Sequence, residues 1–296
     1  MVEEIKLDSW ERFEETLNNV RISTRQSGLQ SLLFRGQSNS KWLLHTTLER
    51  WVDRTSRKGP LIMPVEDYYN IISSVRPEIE TFTGTNWIIP PQYRAITKEM
   101  DQLAQNYDMV SLGLTFGTTP GYEYMAYLRH HGFPSPLLDW TRSPYIAAYF
   151  AFSKIVDDEE SVSIYMLSEG EFTSGSSNSG RIYRLGPNVK VHRRHVLQQS
   201  EYTMALYFTD DTGWWIIGHD DVLVISDSIG ETPWNFKLTK FVIPSGERTK
   251  VLALLDEHNL NAFSLFGSEE SLMETIAIRK LHLPNTRASS AVSGST

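Results

Sequence analysis

Eight consecutive residues, Tyr145 to Phe152 (Tyr-Ile-Ala-Ala-Tyr-Phe-Ala-Phe), are apolar all round a helix. Such a helix is buried, and this constrains the fold more than any other stretch. Ser143-Pro144 starts it well, with serine at the cap and proline in the first turn. Directly before it comes the most specified segment of the chain, His130 to Thr141. Gly132-Phe133-Pro134-Ser135-Pro136 forces an extended turn, and Leu137-Leu138-Asp139-Trp140-Thr141 follows as a short strand. Polar groups at a strand–helix junction can line a cleft. The structural alternative is that Asp139 caps a turn and Trp140 fills the core.

A second stretch, Leu33-Phe34-Arg35-Gly36-Gln37, begins as a short buried strand from Ser31 to Phe34 and places Arg35 at the strand end. Gly36 permits positive φ or a close backbone approach. A guanidinium beside a glycine can hold a phosphate or carboxylate through its bidentate fork. A surface arginine at an ordinary turn is the plain alternative.

Elsewhere, Asp8 and Glu11 have capping-box spacing for a helix through about Asn19. Residues 53–63 read as an exposed loop. A helix over Val65 to Phe82 should break near Val75, because Pro77 falls inside it. Further helices are expected over 95–108 and 123–131. Strands are expected at 161–167, 181–183, 204–208, 222–225 and 236–243. A helix from Pro244 to about His258, an extended Phe263 to Phe266 and a helix capped by Ser268 through about Leu281 complete the chain. The fold class is therefore α+β, a helical N-terminal half packed on a mixed or antiparallel sheet core in one domain over 1–284. A disordered tail occupies 285–296.

Composition removes several functions. There are no cysteines among 296 residues, so disulfides, thiolate catalysis and cysteine zinc sites are out. The net charge of −8 disfavours general nucleic-acid binding by charge. No apolar leader or spanning run is present, so a cytoplasmic protein away from membranes is expected. His192-Arg193-Arg194-His195 is a basic cluster that suits a solvated face or an acidic partner. Asp210-Asp211 and Asp220-Asp221 read as solvated turns. No His-Glu-x-x-His helix, phosphate-cradling lysine loop or Gly-x-Ser-x-Gly elbow occurs, and no metal is expected.

These stretches together resemble the FRG domain family, named for Phe-Arg-Gly, here Phe34-Arg35-Gly36. The family's second signature, His-x-Gly-x-Pro-Thr-x-Leu-Leu-Asp-Trp-Thr, is similar to His130–Thr141 with Ser135 in place of threonine. A third, Arg-x-x-x-Gln-x-Gly-x-Phe, is matched by Arg194 and Gln198 but not by Ser200 and Tyr202. The ending from Phe241-Val242-Ile243-Pro244 through Ile278 is also similar, and the resemblance runs over about residues 5–282. The order of these elements is in turn similar to the ADP-ribosyltransferase fold.

That likeness implies a toxin or anti-phage effector that uses NAD as substrate. It would cleave the nicotinamide–ribose bond and transfer ADP-ribose to an unknown acceptor, nucleic acid or protein, with hydrolysis of NAD as a variant. A neutralising or regulatory partner protein goes with such a role. The implied catalytic set is Arg35, Asp139, Gln198 and Glu201. Arg35, Gly36, Gln37, Thr46, His131, Trp140, Thr141 and Tyr145 would bind the cofactor, with Trp140 or Tyr145 as an aromatic wall. Glu201 could favour a cationic ribose electrostatically, whereas Gln198 could only hydrogen-bond. The alternative is a non-enzymatic module binding a nucleotide, nucleic acid or protein through the same cleft.

Overall fold

The computed structural model describes residues 2–26, 32–53, 61–89, 121–154, 160–169, 180–186, 189, 193–209, 213–222 and 236–283. Among them, nine strands form one mixed sheet: β1 Glu3–Lys6, β2 Leu32–Gln37, β3 Leu61–Pro64, β4 Leu138–Thr141, β5 Ser161–Glu169, β6 Arg181–Arg184, β7 Ser200–Thr209, β8 Gly213–Ile217 and β9 Phe236–Pro244. The order is β1-β9-β5-β2-β4-β7-β8-β3, with β6 also on β7. Only β1–β9 is parallel among the described pairs. The sheet thus draws strands from both halves of the chain, and the α+β class holds.

The helices are α1 Trp10–Gln26, α2 Thr47–Asp53, α3 Val65–Thr83, α4 Tyr122–His130, α5 Pro144–Phe152, α6 Arg193–Leu197, α7 Arg248–Glu257, α8 Ala262–Phe266 and α9 Glu269–Ala277. A π-helical turn, Ile278–His282, follows α9. On one sheet face, α1, α5 and α7 bury a core with Phe34, Ile164, Met166 and Phe241. On the same face, α3 and α4 cover Tyr202, Met204, Leu206 and Ile216. The opposite face buries Leu33, Leu138, Trp140, Tyr165 and Leu167 under Leu44.

α5 is where its composition requires. It packs against β2 so closely that a Cβ on Gly36 would fall 1.8 Å from the Ala147 carbonyl oxygen and 2.7 Å from the Ala151 nitrogen. Gly36 has no positive φ; a close helix–strand approach is its reason for being glycine. Ser143 caps α5 by accepting from the Ile146 N–H.

Several expectations need correction. β2 runs on to Gln37, so Arg35 lies inside a strand, not at its end. α1 continues to Gln26, and Ser9, not Asp8, accepts the Arg12 N–H at its start. α3 passes through Pro77 unbroken, because that residue is on the solvent side, where the missing hydrogen bond is least costly. Residues 61–64 are a strand, not loop, paired with β8. Phe263–Phe266 is helical because Asn261 and Ser264 form a reciprocal capping box. The helix expected at 95–108, the acidic pair 210–211, the strand residues 223–225 and the tail lie outside the described residues.

Candidate functional site

The sheet is weakest in the middle. β2 and β4 share one register pair, Phe34–Thr141, whereas β2–β5 is in register over six pairs. Beyond that pair the strands separate, and Arg35 fills the opening. Its Nη1 donates to the main-chain carbonyl of Asp139 at 2.7 Å and lies 3.9 Å from the Asp139 carboxylate. A side chain thus does what a ladder N–H does elsewhere in the sheet.

Asp139 is also the target of Arg129, from the last turn of α4, in a short ion pair. Arg50 of α2 stands on the rim, near enough to feel the charges of both Arg129 and Asp139. Two guanidiniums therefore converge on one carboxylate, and a third, Arg50, stands near them under the stronger influence of Glu49. Arg35 is only 14% exposed, and burial pushes its pKa down to about 10 despite the help of Asp139. The Nε atoms of Arg35 and Arg129 are buried without a hydrogen-bond partner.

The proline-rich turn positions α2. The Ser135 carbonyl accepts from the Leu48 N–H, while the Ser135 N–H donates to Thr47 Oγ1. Thr46 caps α2: its hydroxyl accepts from the Glu49 N–H, and the Glu49 carboxylate accepts from the Thr46 N–H at 2.7 Å. This Thr-x-x-Glu box was the available signal for a helix that sequence reasoning passed over.

Of the residues expected to form the site, Arg35 and Asp139 meet at the split; Thr141 meets Gln198, and Trp140 meets Glu201, away from it. Gly36 backs onto α5. Gln37 is buried and donates through Nε2 to the Leu43 carbonyl. Trp140 is core, 3% exposed, and donates from Nε1 to Thr203 Oγ1 at 2.7 Å, so it offers no open aromatic wall. Tyr145 leans on Trp10 of α1. Thr141 Oγ1 donates to the Gln198 carbonyl. His131 is exposed and packs on Tyr127. Gln198 donates to the Leu265 carbonyl of α8. Glu201 pairs with Trp140 in register, is 1% exposed, and takes a 2.6 Å hydrogen bond from Arg184, with Arg142 3.8 Å away.

Sequence reasoning missed Arg129 and Arg50, whose neighbours His130 and Thr46 drew attention instead. It also missed His219. This imidazole is fully buried on the Trp140 side of the sheet, 2.9 Å from Thr203 Oγ1. Burial, and then the Arg35 charge, hold its pKa down to about 3. Below the other face, Tyr202 is buried between His130, 2.7 Å from its hydroxyl, and His195, 3.4 Å away. Burial pushes the Tyr202 phenol well up, and the nearby Asp139 charge adds to it.

Residues 30–160 match the family model described as FRG domain. Over these residues the chain is similar to the FRG domain. The match takes in the two signatures that supply Arg35 and Asp139, together with Arg50 and Arg129. The third signature, at 194–202, lies outside it. No curated protein and no solved structure is detectably similar to the chain. No described helix is long and apolar enough to cross a membrane.

Proposed function

We propose that this chain binds a phosphate-bearing nucleotide, with NAD the first candidate, at the β2–β4 split. The observation that carries this reading is the charge balance there. Arg35 and Arg129 converge on the single carboxylate of Asp139, Arg50 stands beside them, and two guanidinium Nε groups are buried without partners. A buried charge that is incompletely paired destabilises the fold that holds it. A diphosphate would supply the missing acceptors through charge-assisted bonds.

Binding is favoured over group transfer by the state of the expected transfer residues. Glu201 is locked to Arg184, and Gln198 points to α8. A second reading, cleavage of the nicotinamide–ribose bond, is supported by Asp139 alone. Its carboxylate is 35% exposed at the split and could stabilise a cationic ribose while water attacks and nicotinamide leaves. Consumption of NAD would suit the toxin or defence role, with its acceptor and its neutralising partner.

Calorimetric titration of NAD into the full chain tests the main reading. Arg129→Ala should weaken binding by about tenfold or more, since a charge-assisted hydrogen bond contributes roughly 1.5–3 kcal/mol. Absence of NAD binding by the wild-type protein would overturn it. Nicotinamide release, abolished in Asp139→Asn, is the outcome expected of the second reading.

A further inference from the structure

Helix α9 buries hydroxyls and exposes hydrocarbon. Ser271 and Thr275 are buried, and Thr275 Oγ1 accepts from the Phe263 N–H of α8. On the side away from them, Met273 is 58% exposed and Ile276 41% exposed. Glu269, Met273, Ile276 and Lys280 follow one another at intervals of four, three and four residues. Residues so spaced are neighbours along one side of a helix, and all four are exposed. The alternation of three and four is the spacing of a coiled-coil seam. Apolar residues scattered singly on a surface need no explanation; a seam facing water does.

The charges at the ends of the seam say what would cover it. Behind it, Glu274 accepts from the Tyr149 hydroxyl of α5, and Arg279 donates through Nε and Nη2 to Asp256 of α7. Glu269 and Lys280 close the seam itself, with opposite sign. The four positions are symmetric about their midpoint. A second copy laid antiparallel sets Glu269 against the partner's Lys280 and Met273 against the partner's Ile276, and a two-fold axis repeats both contacts. A parallel copy would instead oppose like charges at each end. The chain beyond Leu283 is a poor cover, because residues 284–296 carry a single branched aliphatic residue, Val292.

We infer that α9 and the turn after it are a self-association surface, through which two copies of this chain pair antiparallel. The contact is short, so the dimer is weak and forms with rising concentration. It stands apart from the nucleotide reading, since α9 contributes no residue to the arginine cluster at the split.

Sedimentation equilibrium of the full chain, followed up to about 1 mM, reads the association. The wild type should pass from monomer to dimer. Ile276→Asp should weaken the dimer by about tenfold or more, because a charge is then pressed against Met273 of the other copy. Glu269→Lys and Lys280→Glu should each weaken it by about tenfold, since like charges then meet at both ends. An equimolar mixture of these two variants should associate again, because each end of one variant meets the opposite charge on the other. The substituted side chains are exposed and should leave thermal unfolding of the monomer nearly unchanged. The inference is overturned by a wild type that stays monomeric throughout, which would leave the seam to a helix of another protein. It is equally overturned if Ile276→Asp dimerises like the wild type, or if the mixture associates no better than its components.

Discussion

His219 is the residue whose environment makes the clearest prediction. It is fully buried, and its pKa in the fold, about 3, lies far below the ordinary 6.5. The unfolded chain therefore takes up a proton first as pH falls. Its contribution to stability is complete above about pH 6.5 and is lost progressively below it, by about 1.4 kcal/mol per pH unit until the folded value is reached. Denaturant unfolding across this range should slope accordingly in the wild type, and His219→Gln should flatten the part above pH 5, where few carboxylates titrate. An equal slope in the variant would place the acid sensitivity elsewhere. Gly36 makes a second residue-scale prediction. A Cβ there strikes main-chain atoms of α5, which cannot rotate away. Gly36→Ala should cost about 3 kcal/mol, at the upper end for overpacking, measured by the same unfolding experiment. The glycine was legible in the sequence as a place of close approach, but the approaching element was not. Nothing local to Phe34-Arg35-Gly36 says that the helix over 144–152 lies behind it.

At the scale of elements, β6 and β7 are tied through Arg184 and Glu201, side by side on one face. Removing one partner strands a buried carboxylate, so Arg184→Ala should destabilise by about 3 kcal/mol. Adding Glu201→Leu to that variant should recover most of the loss, because the charge goes too. A double-mutant cycle by thermal unfolding reads this directly, and a double variant no more stable than Arg184→Ala would deny the pairing its structural role. The elements easiest to read from sequence were those with strong local signals: α5, with its cap, proline and apolar run, and α9, capped by Ser268. Those missed were short. β1 and β3 are edge strands of four residues each, held by long-range pairing to β9 and β8, and no periodicity develops over so few residues. α6 is a five-residue helix packed near α8, and it too depends on its neighbours more than on its own pattern.

Across the whole molecule, the sheet is two halves joined at Phe34–Thr141, with the arginine cluster at the join. The two sequence signatures identified Arg35 and Asp139 but not why they matter to each other, since their residues are 104 positions apart. The charge surplus became visible only when α2 and α4 delivered Arg50 and Arg129 to the same place. Trp140 was read as a cleft residue from its place at a strand–helix junction, and Gln198 and Glu201 from the likeness to the ADP-ribosyltransferase fold. Alternation along β4 and β7 buried Trp140 and Glu201 instead, and α8 claimed Gln198. On the reading proposed above, this surplus of positive charge exists to hold phosphate. Asp139 competes with any such ligand for the guanidiniums. Titration of inorganic pyrophosphate into wild type, Arg129→Ala and Asp139→Asn therefore tests it most directly. Binding should be saturable in the wild type, weaker by about tenfold or more in Arg129→Ala and tighter in Asp139→Asn. Pyrophosphate affinity that is absent in all three, or unchanged by either substitution, would contradict it.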